Sequence, residues 1–281
     1  MSHFRDLFHK PTGHHADRPS PLHGMTSETI SESALPRATA TAVLPDFPVE
    51  EVRLRPENRL VYYSEPRSAA ADRFRLLRMR LKTHWKTGKL KKLLITSPLP
   101  HDGKSTVLMN LATALAERGK RTVLVIEADL HHLSLAEALR LRPSAGLTEC
   151  LGDDAPSPLS VIRRIDPLGW HLLSAGEPRP NPAELLQPPA FGQVIEQLSP
   201  VFDWILIDSP PVEPLTDSMS LQQHADASLL VVRADRTPRE AIEHTIELLG
   251  KKNIVGIVLN GVPTRDRLYY QYYDASHSGE D

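Results

Sequence analysis

The chain has 281 residues, 24% of them charged, and a formal net charge of −2. That length suits one large core with a tail, and the charge supplies no global field for nucleic acid, which is not expected as a partner. A single cysteine, Cys150, excludes an intrachain disulfide and fits a reducing compartment, where it reads as a small packed residue rather than a nucleophile. No apolar run reaches bilayer length, and the amino-terminal stretch lacks the apolar core of a secretion signal, so a cytoplasmic protein is expected, with peripheral docking at a membrane left open.

Residues 1–50 are rich in His, Pro, Ser and Thr and read as a disordered tail. Their histidines, His3, His9, His14, His15 and His23, are irregularly spaced and joined by no cysteine, which fits a solvated tail better than a metal site. Residues 51–265 are expected to form one α/β domain, and 266–281 a tyrosine-rich tail. Phe74, Leu77, Leu81 and Trp85 recur at three- and four-residue spacing and predict an amphipathic helix over about 68–85. Arg73, Arg75, Arg78, Arg80 and Lys82 make that helix basic, either as a solvated face or as a face for a partner or an anionic surface.

Next comes an apolar strand, Lys92–Thr96, then Ser97-Pro98-Leu99-Pro100-His101-Asp102-Gly103-Lys104-Ser105-Thr106, then a helical pattern over 107–118 with Gly119 as a stop. Strand, glycine-containing loop and helix make the geometry of a phosphate-binding loop, where backbone N–H groups and a helix N-terminus attract an anion. Lys104 adds a mobile cation for β/γ-phosphates and Ser105 a hydroxyl for Mg²⁺. Pro98 stands where the common form of the motif has glycine. His101 occupies a loop position where positive φ would be strained.

Beyond it, strands are expected at 122–126, 170–173, 204–207, 228–232 and 254–259, and helices at 135–141, 191–198 and 239–249. Near-continuous apolar strands alternating with helices predict a mostly parallel sheet covered on both faces, with ligand at the carboxyl ends of the strands. Two of those strand ends are acidic: Glu127-Ala128-Asp129 and Asp208, the latter followed by Ser209-Pro210-Pro211. A lone strand-end carboxylate is more often a cap, but two beside a phosphate loop fit Mg²⁺ and nucleotide binding.

The segments SPLPHDGKST, VLVIEADL and DWILIDSPPV resemble the Walker A, A′ and B motifs of the bacterial tyrosine kinases of exopolysaccharide and capsule biosynthesis. These belong to a P-loop class that also includes cell-division-site and chromosome-partitioning ATPases. Leu99 stands where the partitioning branch has its signature lysine. The resemblance, over roughly residues 60–273, implies an autophosphorylating kinase that uses ATP and Mg²⁺. It places Pro100, Asp102, Gly103, Lys104, Ser105, Thr106 and Asn260 at the nucleotide, and Ser105, Asp129 and Asp208 at the metal. It makes Lys104, Glu127, Asp129 and Asp208 catalytic, with Glu127 orienting or deprotonating the tyrosine. Asp72, Arg75 and Arg78 match the family's ring-forming helix motif, with Asp for Glu, and Tyr269, Tyr270, Tyr272 and Tyr273 match its autophosphorylated cluster. The resemblance further implies a homo-oligomeric ring and a membrane-spanning polysaccharide chain-length regulator that recruits the chain to the inner face of the cell membrane. Glu127 replaces an Asp of the family and His131 an Arg. An ATP-switched oligomeric assembly protein with little kinase activity, and a positioning ATPase, are the alternative readings.

Overall fold

The computed structural model describes residues 44–262, apart from 153–154, 187–188 and 215–216. In chain order the elements are β1 (Val49–Glu51), α1 (Val61–Ser64), α2 (Ala69–Lys86), β2 (Lys92–Thr96), α3 (Lys104–Ala116), β3 (Val123–Glu127), α4 (Ser134–Leu139), α5 (Leu147–Cys150), β4 (Arg163–Asp166), β5 (Trp170–Leu173), α6 (Pro182–Leu185), α7 (Ala190–Leu198), β6 (Trp204–Asp208), α8 (Asp217–Gln222), β7 (Ala227–Arg233), α9 (Arg239–Leu249) and β8 (Ile254–Asn260). The eight strands form one sheet in the order β1-β4-β5-β3-β6-β2-β7-β8. Every pairing is parallel except β4 with β5.

Alternation along the central strands sorts their side chains onto two faces. Leu93, Ile95, Val123, Val125 and Leu206 pack with Leu108, Leu111 and Leu115 of α3 and with Phe74, Leu77 and Leu81 of α2. Leu94, Leu124, Ile126, Ile205 and Ile207 pack on the other face with Phe191, Val194, Ile195 and Leu198 of α7. A doubly covered parallel sheet therefore explains why these strands are apolar at every position.

Helix α2 begins at Ser68, whose hydroxyl accepts from the Ala71 amide at 3.2 Å. Its predicted stripe faces inward: Leu81 is buried, and Trp85 stacks on Trp204 and donates its indole N–H to the Asp203 carbonyl at 3.0 Å.

One expected boundary moves. Strand β1 crosses the expected boundary between residues 50 and 51, and Phe47 ahead of it is buried against His171 and Phe202. The described domain reaches back to residue 44, where Leu44 packs on the same cluster. The other residues of the expected tail, 1–43, and residues 263–281 lie outside the described residues. Cys150 is buried and its thiol is pushed up to about 11, first by burial and then by Glu149, so it is not a ready nucleophile.

Candidate active site

The sheet order puts β2 between β6 and β7, with β3 beyond β6, so the loop after β2 and the ends of β3 and β6 converge. In register, Asp208 lies opposite both Ile95 and Glu127. Glu127 shares a face with Val123 and Val125, and Asp208 with Leu206; this is the face covered by α3.

Gly103 sits at φ 92°, immediately before α3, and a Cβ there would lie 2.1 Å from Asn260 Nδ2. Glycine is required on both counts. The close neighbour has a purpose: Asn260 Nδ2 donates to the Asp102 carbonyl at 2.9 Å. The Asp102 side chain is itself buried, accepting from the Leu99 amide at 3.1 Å and from the Thr237 hydroxyl at 2.7 Å. Asp102 and Asn260, expected at the nucleotide, also brace the loop. His101 has φ 64°, the strained left-handed conformation expected for it, and its side chain is exposed.

At the front of the loop, Lys104 Nζ donates to Asp129 Oδ2 at 2.9 Å, and Ser105 Oγ donates to Asp208 Oδ2 at 3.0 Å. Burial by itself would lower the Lys104 ammonium; Asp208 and Asp129 outweigh it and hold the group above its ordinary value. Asp129 also accepts the His132 amide at 3.1 Å, so both its oxygens have protein partners. Asp208 is fully buried, and its Oδ1 has no partner. Burial pushes its carboxyl up to about 6, against the pull of Lys104. A buried carboxylate oxygen with nothing to bind, beside a P-loop hydroxyl, fits a divalent cation whose other ligands are phosphate and water. Ser105 and Asp208 would hold it; Asp129, expected beside them, is paired here with Lys104. Ser134 was not foreseen, and its Oγ lies 2.7 Å from Ser105 Oγ and 3.4 Å from Asp208.

Glu127 departs from its expected part. Its Oε1 accepts the amides of Leu135 (2.7 Å) and Ala136 (3.1 Å), and Oε2 accepts that of Ala175 (3.3 Å). It is fully buried, so this carboxylate caps α4 and ties it to the end of β5 rather than facing a tyrosine. Burial drives its carboxyl up to about 7, against those three amides. The longer side chain is what spans the two elements.

Lys104, Ser105 and Asp129 open on a cleft of about 740 Å³, also lined by Pro100, Gly103, Thr106, His131, His132 and Ser134.

The sequence model of a family described as cellulose biosynthesis protein BcsQ matches residues 101–249. The chain is 33% identical to the tyrosine-protein kinase CpsD of Streptococcus pneumoniae over 61% of its own length and 76% of that protein's. It is 29% identical to YwqD of Bacillus subtilis, also a tyrosine-protein kinase, over 78% of this chain and 92% of that one. The chain belongs to the bacterial tyrosine kinases. Its match to the tyrosine-protein kinase ptk of Acinetobacter johnsonii, 34% identical, spans 79% of this chain but 31% of that longer one. Among solved structures, the kinase domain of the Escherichia coli tyrosine kinase ETK superposes with a TM-score of 0.67 at 27% identity, covering 73% of this chain and 81% of that domain. MinD of Pyrococcus horikoshii, solved with Mg-ADP, superposes at 0.52 with 25% identity, over 62% of this chain and 72% of that one.

Against the bacterial tyrosine kinase pattern, His131 in place of Arg has found a local partner. Its Nε2 lies 2.8 Å from Asp217 Oδ2, a buried carboxylate at the start of α8 that the sequence did not single out. The ring motif is engaged within the chain: Arg75 pairs with Asp72 and donates to the Pro66 carbonyl. Arg78 donates to the Ala114 carbonyl at 3.2 Å and the Tyr62 hydroxyl at 3.4 Å. Tyr269, Tyr270, Tyr272 and Tyr273 lie outside the described residues.

Proposed function

We propose that this chain is an ATP-dependent protein-tyrosine kinase that phosphorylates Tyr269, Tyr270, Tyr272 and Tyr273 of a neighbouring copy and serves exopolysaccharide or capsule assembly. The observation that carries the site is the Ser105–Asp208 pair with its unpartnered buried oxygen, set beside the Lys104–Asp129 pair. Phosphoryl transfer depends on positioning and charge neutralisation more than on covalent chemistry. Lys104 leaves Asp129 for the β/γ-phosphates, and Asp129 then keeps the A′ turn in place through the His132 amide. Thr106 stands at the cleft for the α-phosphate side. Mg²⁺, when bound at Ser105 and Asp208, draws off charge that develops on the phosphates. Glu127 contributes by holding α4, and with it Ser134, against Ser105 and Asp208.

The partners follow from the family: copies of this chain joined through α2, and a membrane-spanning regulator that brings the kinase to the inner face of the membrane. Among the described residues no helix is long and apolar enough to cross a membrane.

Glu127 favours a second reading, an ATP-switched assembly protein, because a carboxylate bound by three amides is unavailable to a tyrosine hydroxyl. Incubation with Mg-ATP and mapping of phosphotyrosine by mass spectrometry separates the two. The kinase reading expects label within 269–273, abolished by Lys104→Met; nucleotide binding without any label, with or without a regulator's cytoplasmic segment, establishes the switch.

A further inference from the structure

A second cleft, of about 830 Å³, lies between the end of α3, the approach to β3 and the turn joining β4 to β5. It sits at the amino ends of β3 and β5, whereas the nucleotide cleft is at the carboxyl ends. Six cations line it, Arg75, Arg78, Arg118, Lys120, Arg121 and Arg164, against two carboxylates, Glu117 and Asp166. The chain as a whole carries −2, so this is a local concentration of opposite sign.

The two lining acids offset it only in part. Glu117 is taken by Lys82, outside the lining, at 2.6 Å, and Asp166 is 3.8 Å from Arg164, both half-exposed. Arg118 and Lys120 make no ion pair among the described residues. Three guanidinium groups are held in place: Arg75 paired with Asp72, Arg78 on the Ala114 carbonyl, and Arg121 over the Trp85 ring at 4.7 Å and 3.5 Å from Asp203. One cation at the carboxyl end of α3 suffices for the helix dipole, and Arg78 fills that place. Arg118 and Lys120, with Arg164 only loosely paired, leave positive charge in the concavity that an entering anion would neutralise.

We propose that this cleft is a second anion site that takes phosphate monoesters. Guanidinium forks suit a phosphate's planar oxygen edges, and the Tyr62 and Tyr63 hydroxyls in the lining add neutral donors. Two sources present that chemistry: a phosphorylated tyrosine of the 269–273 cluster, and a free phosphorylated metabolite. The first rests on the kinase reading; the cleft itself does not. Docking a phosphorylated tail here would keep the product away from the nucleotide cleft.

The test uses the full chain saturated with Mg-ADP, so that the P-loop is filled. Fluorescence anisotropy would follow a synthetic peptide of residues 266–281 with phosphate on Tyr270 and Tyr272, its unphosphorylated form, and competition by phenyl phosphate. The phosphopeptide is expected to bind at least roughly tenfold tighter than the plain peptide, a gap of about 1.4 kcal/mol. Binding should weaken with salt and fall about as far in Arg118→Glu/Lys120→Glu and, on the other wall, in Arg164→Glu. Mg-ADP affinity and melting temperature serve as controls and are expected to stay unchanged. Phenyl phosphate binding that these variants abolish, without phosphopeptide binding, supports the site with the metabolite as its source. Equal binding of both peptides with no binding of phenyl phosphate overturns the proposal, as does binding indifferent to both variants. Because the peptide is synthetic, failure of the chain to phosphorylate its own tail leaves this result readable.

Discussion

At Gly103 a methyl group would meet Asn260 Nδ2 at 2.1 Å while adopting φ 92°. Gly103→Ala is therefore expected to weaken Mg-nucleotide binding by roughly tenfold or more, measured by calorimetry. Adding Asn260→Ala removes the contact but not the backbone strain, and should recover only part of the loss. Glu127 carries the second prediction at this scale. Glu127→Asp restores the family's residue but shortens the arm that reaches Leu135, Ala136 and Ala175. It should cost about 1–3 kcal/mol of stability by denaturant unfolding, with no gain in phosphoryl transfer. A faster enzyme of unchanged stability would refute the capping role. Lys104, Ser105 and Asp208 were legible because strand–loop–helix and an acidic strand end are local patterns. The part of Glu127 was not, because capping depends on where the chain returns after β3, eight residues on. The pairing of His131 with Asp217, 86 residues apart, left no sequence trace for the same reason.

Among the elements, the central strands and α2, α3, α7 and α9 were readable from apolar periodicity. Strands β1 and β4 were not. They are short strands of three and four residues at one margin of the sheet, β1 at the edge and β4 beside it, and Glu50, Glu51, Arg163 and Arg164 leave little apolar alternation to detect. Their importance is testable by truncation. Removing residues 1–50 takes away Phe47 and two of the three residues of β1 and should destabilise the fold, by about 3–5 kcal/mol for the aromatic side chain alone. Removing residues 1–40 spares both and is expected to leave unfolding of the domain nearly unchanged. Phe47 also covers His171 on β5. Burial lowers the His171 imidazole below its ordinary value, the Val123 carbonyl opposing and Arg164 adding to the shift. The unfolded chain thus takes up that proton first, so this contribution to stability is complete above about pH 6.5 and is lost as pH falls below it. Urea midpoints at pH 7.5 and 5.5 should differ more for the parent than for His171→Gln.

For the whole molecule, the sheet order explains why one end of the fold binds nucleotide. The phosphate loop leaves β2 between β6 and β7, and Asp208 arrives on the neighbouring strand. The basic cleft at the amino ends is a separate surface, so its ligand and the nucleotide can be bound together. What the sequence could not convey at this scale is that two of the three ring-motif residues, Arg75 and Arg78, also line that cleft. The central claim is that this P-loop delivers phosphate to a tail tyrosine on another copy. The most direct measurement mixes two chains with Mg-ATP: one carrying Lys104→Met and an intact tail, the other active but with Tyr269, Tyr270, Tyr272 and Tyr273 changed to Phe. Mass spectrometry is predicted to find phosphotyrosine within 269–273 of the Lys104→Met chain, and none when that chain is incubated alone. Absence of label in the mixture, under conditions where the active chain binds Mg-ATP, would contradict the account.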